Sequence, residues 1–470
     1  MNPCKCADIN TNTDLFLWPG REKTGLGLSE LSTEQDVSEG SSDGDPNSDG
    51  ATSGRRNEPQ PTGGRPRPLT MLALGMALGV AALGLTIVLM RFGQVPQTEP
   101  DTQVTEIPAA ASEILSENDT VDVYARVDVL PGVPSVAPQT PWLKLDASTT
   151  LTRIGVGSCL GQSQPQPVWD SIMRLEPRPQ LFMMMGDGVY GDIKSAEAKE
   201  LIQGYRDQSV RPELARARQD MPFLATWDDH DYGGNDKGAD FEHKETAAKL
   251  FHDFWQMKPE RPQDQGIYYA RTYGVEGKRV QIIMLDTRSF RSDLKKKTNS
   301  FKYWGRYEPI EDPDRTMLGK AQWAWLEEQL HEAADVRLIV TSVQLLAGGH
   351  GFERWGNLPL ERERFFQLID DTGARGVILL SGDRHNGALY QIELKNGQRL
   401  PEMTSSSLNR SYGPSKDAPT PERLSRMYNQ ENFGILDIDW RLRRISLTLK
   451  DIGGEMLDSL TVKFRDLGID

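Results

Sequence analysis

Cysteine is scarce in this chain of 470 residues, which contains three cysteines in all. Two of them, Cys4 and Cys6, stand at the start of the chain, so Cys159 is alone in the remainder. A lone thiol cannot form an intramolecular disulfide, which excludes a disulfide framework for that part of the protein. Cys159 is therefore either a small buried apolar residue or a group with a chemical role.

Positive charge is also in deficit, with 54 lysines and arginines against 68 acidic residues and a formal net charge of −14. An acidic chain without basic clusters argues against binding to nucleic acid. Part of the excess of acidic residues lies in the first 50 residues, which carry ten acidic and three basic side chains and few large apolar ones. Such a segment buries too little surface to offset its ordering entropy, so residues 1–68 are predicted to be a disordered acidic tail.

Long apolar runs are absent except for one, Leu69–Met90, which holds no charged residue. At 1.5 Å per residue this run spans the roughly 30 Å hydrocarbon core, so it predicts one transmembrane helix over 69–91. Arginines concentrate before it, which predicts a cytoplasmic N-terminus and an extracellular, periplasmic or luminal remainder. Glycosylation sequons at Asn118 and Asn409 are compatible with that topology. The arginines are Arg55, Arg56, Arg65 and Arg67.

Beyond the run, residues 92–149 are rich in proline and valine and are predicted to form a stalk. From residue 150 to 470 strand and helix patterns alternate, which predicts one α/β domain built from βαβ units. The predicted strands are 153–157, 181–185, 223–226, 280–285, 338–342 and 377–380, and the predicted helices are 244–255, 320–331 and 360–370. Four later strands, at 388–393, 433–439, 443–449 and 458–464, follow without helices and predict an antiparallel sheet.

Polar side chains suited to metal binding follow the ends of these strands. Strand ends of a βαβ sheet converge on one edge, so these side chains are expected to form one site. Several carboxylates that close repel one another unless they share protons or cations. Oxygen ligands with one histidine and one thiolate suit two or more ions of different hardness. The candidates are Cys159, Asp187, Tyr190, Asp228, Asp229, His230, Asn235, Asp383 and His385.

The motifs around these residues resemble the PhoD-like alkaline phosphatases, a branch of the calcineurin-like metallophosphoesterases. They occur in the family's order over roughly residues 150–470. The resemblance implies a metallophosphoesterase-type αββα sandwich, in which two mixed sheets are flanked by helices. The motifs are Gly157-Ser158-Cys159, Gly186-Asp187-Gly188-Val189-Tyr190-Gly191-Asp192, Trp227-Asp228-Asp229-His230-Asp231-Tyr232-Gly233-Gly234-Asn235-Asp236, Asp286-Thr287-Arg288 and Ser381-Gly382-Asp383-Arg384-His385.

The same resemblance implies a role for each candidate residue. Cys159, Tyr190 and His385 would hold Fe³⁺, with Asp187 bridging to a second ion, and the thiolate and phenolate favour iron. Asp383 and either Asp228 or Asp229 would hold Ca²⁺ with help from Asn235; spacing does not decide between the two aspartates. Gln344 is a candidate for a further ligand position. His230 and Arg288 would face the phosphoryl group, although Arg288 could instead pair with Asp286. Glu353 and Trp355 are either packing residues or parts of a pocket lid.

The implied function is a membrane-anchored phosphatase in which a metal-activated hydroxide attacks a phosphate ester. Phosphomonoesters are favoured and phosphodiesters are possible, on a small molecule, a lipid or a polymer. The alternative is a catalytically weak, calcium-binding ectodomain that serves as an interaction module. A cysteine nucleophile of the Cys-x₅-Arg type is excluded because Pro165 occupies the arginine position, and neither a Gly-x-Ser-x-Gly nor a Walker motif is present.

Overall fold

The computed structural model describes residues 130, 132–262, 265–298 and 304–469. The predicted acidic tail (1–68), the predicted membrane helix (69–91) and most of the predicted stalk lie outside these residues. Among the helices within the described part of the chain, none is long and apolar enough to span a membrane.

Strands and helices alternate in the first two thirds of the described domain, and strands dominate the last third. The strands are β1 (Arg153–Gly157), β2 (Leu181–Met185), β3 (Phe223–Thr226), β4 (Tyr269–Tyr273), β5 (Val280–Met284), β6 (Val336–Thr341), β7 (Val377–Ser381), β8 (Gly387–Glu393), β9 (Arg399–Ser405), β10 (Asn432–Asp439), β11 (Arg444–Asp451) and β12 (Met456–Lys463). The helices are α1 (Val168–Met173), α2 (Lys199–Ser209), α3 (Pro212–Asp220), α4 (Asp229–Tyr232), α5 (Lys244–Trp255), α6 (Gly319–His331) and α7 (Pro359–Thr372).

These strands form two six-stranded mixed sheets. The first has the order β12-β11-β10-β1-β2-β3, and the second has the order β4-β5-β6-β7-β9-β8. In the first sheet β1, β2 and β3 are parallel, while β10 pairs with β1 in the antiparallel sense. In the second sheet β5, β6, β7 and β9 are parallel. The carboxyl ends of parallel neighbours lie at one edge of each sheet, which is where the candidate ligands occur.

The two sheets pack face to face with helices on both outer sides. Strand β2 shows why, because all five of its residues are buried and successive side chains point to opposite faces. Met183 belongs to the core between the sheets with Ile282 and Leu338, whereas Phe182 packs outward among helix residues such as Phe251. A third core lies between the second sheet and helices α6 and α7. The αββα sandwich implied by the sequence is confirmed.

The prediction of a C-terminal antiparallel sheet is confirmed for β10, β11 and β12, which pair in the antiparallel sense, and is wrong for β8. Strand β8 belongs to the second sheet, while β10, β11 and β12 extend the first. Strand β9, which was not predicted, inserts between β7 and β8 and runs parallel to β7. Its segment contains Pro401 and Glu402, which weaken the local strand pattern. Which sheet a strand joins is decided by contacts distant in sequence, which local pattern does not report.

The described end of the predicted stalk packs on the domain. The backbone N–H of Val136 donates to Asp253 at 2.6 Å, and the indole of Trp142 donates to the carbonyl of Phe254 at 2.8 Å. Both Val136 and Trp142 are buried in the core outside the first sheet. The folded domain therefore begins before residue 150, the boundary predicted from the sequence.

Candidate metal centre

Four loops at the carboxyl ends of strands bring the candidate ligands together. Cys159 follows β1, Asp187 follows β2, Asp229 follows β3, and His385 follows β7 of the second sheet. In each of these loops except that of Asp229 the chain turns through the left-handed region, which residues other than glycine seldom adopt. The φ angles are 61° at Cys159, 51° at Asp187, 69° at Asp383 and 53° at His385. Backbone strain of this kind concentrates at functional sites.

One group of ligands consists of Cys159, Asp187 and His385, whose candidate atoms all lie within 4.8 Å of one another. The Cys159 thiol lies 3.6 Å from Asp187 Oδ2 and 3.1 Å from the hydroxyl of Ser406. Burial, and then the charge of Asp187, raise the pKa of Cys159 well above its ordinary value. The thiolate form therefore needs a nearby cation, and a metal ion supplies one.

Tyr190 lies beside this group. Its hydroxyl donates to Asp187 Oδ2 at 3.2 Å, and its ring centroid is 4.3 Å from the ring of His230. The Arg410 guanidinium lies 3.9 Å from the centroid of the Tyr190 ring. Burial and the carboxylate of Asp187 raise the pKa of Tyr190 well above its usual value. As with Cys159, the charged form requires a cation in contact with the oxygen.

A second group consists of Asp228, Asp229 and Asp383, again with ligand atoms within 4.8 Å of one another. Asp187 and Asp229 also form a group with His230, so these two aspartates connect the first group to the second. Burial, followed by the charges of Asp228 and Asp229, raises the pKa of Asp383 well above its usual range. Asp383 is thus poorly accommodated as a free anion, whereas His230 and Arg288 lower the pKa of Asp229 despite its burial.

His230 and Asp192 form a dyad at the same place. Nδ1 of His230 lies 2.6 Å from Asp192 Oδ1, and Nε2 lies 3.9 Å from Asp229 Oδ1. Burial by itself lowers the pKa of His230, but Asp229, Asp187 and Asp192 together raise that pKa to about 11. Sequence reasoning found His230 and assigned no role to Asp192. The presence of Asp192 in the Gly186–Asp192 motif was its only sequence signal. Spacing alone does not reveal the bend of the chain that brings Asp192 to His230.

Asp231 is a buried residue that holds two of the ligand loops together, and the sequence reasoning did not select it. Its carboxylate accepts the backbone N–H groups of Asp187 at 3.3 Å, Gly188 at 3.0 Å and Asp228 at 2.5 Å. The loops after β2 and β3 are thereby tied to each other. Burial raises the pKa of Asp231 to about 7, although the same N–H groups lower it. The spacing Asp228-x-x-Asp231, which is typical of a helix N-terminal cap, was the sequence signal that could have identified Asp231.

The ligands lie at a cavity of about 540 Å³. Four members of these two ligand groups, Asp187, Asp229, Asp383 and His385, line it together with His230. This volume is within the range of small-molecule sites and is much larger than a phosphate group needs. The remainder of the lining comes from Asn235, Asp236, Trp304, Arg306, Phe352, Glu353, Arg384, Asn386, Tyr412, Gly413, Pro414, Ser415 and Asn429.

Comparison with known proteins agrees with this geometry. The family model described as PhoD-like phosphatase matches residues 157–446, which is more than half of the chain and includes every candidate ligand.

This chain belongs to the PhoD-like phosphatase family.

Two relatives of the PhoD-like chain illustrate how far the similarity extends. Alkaline phosphatase D of Bacillus subtilis (strain 168) is 25% identical over 224 residues, which are 42% of this chain and 37% of that protein. The chain thus spans little more than a third of the length of this curated relative. A solved structure of PhoD superimposes with a TM-score of 0.53 at 16% identity, covering 68% of this chain and 70% of the other. That superposition supports the fold.

The donor set of the PhoD-like domain fits cations. Asp228 Oδ2 and Asp229 Oδ1 are buried carboxylate oxygens that have no hydrogen-bond partner. Such oxygens are costly to bury unless something positive meets them. Burial raises the pKa of Asp187 well above its usual value even though His230 acts in the opposite direction. Cations bound among these groups would satisfy the free oxygens and keep the carboxylates ionised.

The structure separates the roles of Asp228 and Asp229, which spacing left open. Asp229 lines the cavity and belongs to three of the four candidate ligand groups found in the described residues. Asp228 is fully buried behind it, and its Oδ1 accepts from Arg288 at 2.7 Å and from Ser342 at 2.7 Å. Asp229 is therefore better placed as a ligand than Asp228, which keeps one oxygen free beside it.

Arg288 does not occupy the substrate-facing position expected from the sequence. Its side chain is fully buried and pairs with Asp228 and Glu353 instead of pointing into the cavity. The suggested pairing with Asp286 is also not formed by the guanidinium; Asp286 Oδ1 accepts the backbone N–H of Arg288 at 3.0 Å. A second arginine, Arg291, meets the other oxygen of Glu353 at 2.9 Å. Arg288 is already paired with two carboxylates, so it stabilises the ligand loops from the protein interior.

Gln344 is engaged elsewhere. Its amide donates to the hydroxyls of Tyr390 at 3.1 Å and Thr404 at 2.9 Å, and its oxygen lies 3.0 Å from His350 Nε2. These buried bonds leave it out of the ligand groups, so the expected ligand position is not filled by Gln344. Trp355 is likewise a packing residue, since its buried indole donates to Thr341 at 2.8 Å.

Two asparagines were also selected from the sequence, one as a metal ligand and one as a glycosylation site. Asn235 lines the cavity and is exposed, which leaves its oxygen accessible for a ligand role. Asn409, which stands in a glycosylation sequon, is buried with its amide bonded to the backbone of Gly161. A glycan on Asn409 is incompatible with this arrangement. Its side chain instead fixes the loop that follows Cys159.

Proposed function

We propose that this chain is a metal-dependent hydrolase of phosphoric esters. The observation that carries the proposal is the meeting of two acidic ligand groups, connected through Asp187 and Asp229, at a cavity that His230 also lines. Hydrolysis of a phosphate ester needs charge neutralisation and an activated water, and paired cations are suited to both. Membership of the PhoD-like phosphatases supports the same reaction class.

The proposed ions are Fe³⁺ and Ca²⁺. Cys159, Tyr190 and His385 provide soft and phenolic donors, which suit iron, and Asp383 with Asp229 provides the oxygen donors that calcium prefers. Once bound, the ions would neutralise charge on the phosphate and lower the pKa of a coordinated water. Asp187 is proposed as the ligand that both ions share.

His230 is proposed as the general acid. Asp192 accepts a hydrogen bond from Nδ1 of His230, which leaves Nε2 at the cavity to bind a phosphoryl oxygen or to donate a proton to the departing alkoxide. Among the carboxylates that raise the pKa of His230, Asp192 is not a proposed metal ligand, so its charge would favour the protonated ring also when ions are bound. After the transfer, the charge of Asp192 favours recapture of a proton by the ring.

Phosphomonoesters remain the favoured substrates and phosphodiesters the second candidates. We also propose a single-pass membrane anchor with the N-terminus in the cytoplasm and the catalytic domain on the other side of the membrane. Support for the anchor comes from the uncharged run Leu69–Met90 and the arginines before it. Alkaline extraction of membranes tests the anchor, because recovery of the full-length chain in the extract would contradict it.

The proposed reaction is tested on the purified full-length chain. Metals are removed with a chelator, Fe³⁺ and Ca²⁺ are returned singly and together, and phosphate release is measured from one aryl monoester and one aryl diester. We expect release that requires both ions, together with a violet colour in the iron-loaded protein that Tyr190→Phe abolishes. Release that survives complete chelation, or no release from either ester with both ions bound, would overturn the proposal.

A further inference from the structure

Three aromatic side chains line the cavity and take no part in the proposed chemistry. We name Trp304, Phe352 and Tyr412 the aromatic wall. Trp304 is 39% exposed and Tyr412 is 57% exposed, which leaves large apolar faces in contact with water. Covering such faces with a planar ligand is favourable because both apolar burial and ring stacking contribute.

The aromatic wall is adjacent to the reacting end of the cavity. The ring centroid of Tyr412 lies 4.1 Å from that of His385 with 34° between the ring planes, so Tyr412 stands beside a candidate metal ligand. Trp304 meets Phe352 edge to face at 4.8 Å, and the guanidinium of Arg384 lies 4.4 Å from the centroid of Phe352. Arg384 directly precedes His385 in the chain. A phosphate held by the ligands therefore has aromatic surface within reach of its organic group.

The arginines of the cavity already have carboxylate partners. Arg384 donates to both oxygens of Asp417 at 3.1 and 3.2 Å, and both side chains of this pair are nearly buried. Arg306 pairs with Asp236 at 3.1 Å. A second anionic group on the substrate would compete with these carboxylates, whereas an uncharged ring meets the aromatic faces without that competition. The lining thus favours a planar ring over an additional phosphate.

We propose that the aromatic wall selects phosphate esters whose organic group carries a planar unsaturated ring. This inference rests on the proposed hydrolase function and assigns its substrate class. The cavity of about 540 Å³ has room for a phosphate and a ring together. Aromatic stacking tolerates many ring types, so the shared chemistry covers both simple aryl groups and the bases of nucleotides.

The test uses two pairs of esters that differ in the ring alone. Benzyl phosphate is compared with cyclohexylmethyl phosphate, which replaces a planar ring with a saturated one of similar size. Adenosine 5′-monophosphate is compared with the methyl riboside 5-phosphate, which has the same primary ester and no base. For the metal-loaded full-length chain we expect kcat/KM to favour the planar member about tenfold in at least one pair. A higher kcat/KM for the planar member of the benzyl pair alone identifies aryl esters as the substrate class. A higher kcat/KM for adenosine 5′-monophosphate in the other pair identifies nucleotides.

Variants show whether the aromatic wall is the source of the preference. We expect Trp304→Ala and Tyr412→Ala each to reduce the planar-to-nonplanar ratio of kcat/KM severalfold, mainly through a higher KM for the planar member. Trp304→Phe and Tyr412→Phe, which keep an aromatic face, should restore most of the ratio. Met456→Ala is the control, because Met456 is 65% exposed and is not among the residues that line the cavity.

The outcomes separate this inference from the function on which it rests. Hydrolysis of all four esters with equal kcat/KM, or a ratio that neither alanine variant changes, would overturn the substrate class and leave the hydrolase proposal intact. Loss of the ratio through kcat alone, without rescue by phenylalanine, would also overturn it, because that pattern indicates a structural role. Failure of the metal-loaded wild type to hydrolyse any of the four monoesters overturns the substrate class, and it overturns the hydrolase proposal as well if the aryl diester is also left intact.

Discussion

Two adjacent groups of buried charge lie at the cavity, and they are compensated in different ways. The first, which we name the arginine-paired cluster, consists of Arg288, Arg291, Glu353 and Asp228 and contains its own cations. The second, the carboxylate cluster, consists of Asp187, Asp229 and Asp383 and is crowded with like charge. Of the atoms in the carboxylate cluster, Asp229 Oδ1 is buried without a hydrogen-bond partner.

This difference in charge compensation distinguishes residues that stabilise the fold around the site from residues that need a bound ion. Burial raises the pKa of Asp187 and of Asp383 well above the usual range, as expected for carboxylates without enough positive charge nearby. Arg288 shows the opposite response, because Asp228 and Glu353 raise its pKa well above its ordinary value despite burial. The arginine-paired cluster thus contains much of its own compensating charge, although burial still raises the pKa of Asp228 and raises that of Glu353 to about 7. The carboxylate cluster contains no arginine, and cations from solution would supply the missing positive charge.

The largest effect is expected from Asp187→Asn. The substitution keeps the side-chain volume and removes the charge of the proposed shared ligand, so phosphate release should fall on the order of 1000-fold. Metal analysis of the purified variant should show loss of bound ions. The matched control is Asp220→Asn, at an exposed aspartate in a surface ion pair. Wild-type metal content together with wild-type activity in Asp187→Asn would contradict the assignment.

The arginine-paired cluster is tested by Arg288→Met, which removes its central cation. Asp228 would then lose its cation and Glu353 would keep only Arg291, and we expect the free energy of unfolding to fall by about 3–5 kcal/mol. Urea unfolding should show this loss with and without bound metal, since the cluster does not depend on ions. A variant of unchanged stability with a higher KM would instead restore the substrate-facing role that the sequence suggested for Arg288.

Asp192→Asn tests the dyad that Asp192 forms with His230 at the cavity. The amide keeps the size of the side chain and removes the charge that orients and stabilises the protonated ring of His230. We expect kcat to fall about 10- to 100-fold while metal content stays at the wild-type level. A fall confined to aryl esters with very good leaving groups would argue against proton donation, because those esters need an acid least.

The smallest effect is expected in the pH dependence of stability of the chelated protein. The raised pKa values of Asp187 and Asp383 mean that the folded state retains protons that the unfolded chain has lost above about pH 4. Stability of the metal-free protein should therefore decrease as pH rises above about 4. Thermal unfolding at pH 5 and pH 8 measures this slope.

The metal-loaded protein provides the comparison for that slope. Its carboxylates are ionised in both states, so the decrease with pH should be absent, and the stabilisation by metal should be larger at pH 8 than at pH 5. Asp187→Asn should flatten the slope of the chelated protein as well. The same slope with and without metal would remove the distinction between the two clusters.

Sequence reasoning located the elements best where a buried apolar run ends in a clear break. The bounds of β1, β2, β3 and α5 agree with the prediction, since each is a short hydrophobic segment between polar or glycine-containing ones. Strands β4 and β9 were missed because their local patterns are weak, and the sheet membership of β8–β12 depends on long-range pairing.

For the site, sequence reasoning succeeded where position along the chain was sufficient. Cys159, Asp187 and His385 each follow a strand end, and the fold brings them within ligand distance. It failed where side-chain direction matters, because spacing cannot show that Arg288 points into the interior or that Asp192 reaches His230. The aromatic wall was missed for a further reason, since its residues come from loops without a repeating pattern.

The order of strands in the first sheet has a consequence for assembly of the site. Strand β1, which leads to Cys159, lies between β2 and β10, and β10 begins about 270 residues later at Asn432. The loop of Cys159 is also bonded to Leu408, and His385 must arrive from the second sheet. Contacts so distant in sequence form late in folding. The group of Cys159, Asp187 and His385 therefore depends on pairing between segments that are far apart in the chain, and it is assembled only when both sheets have formed.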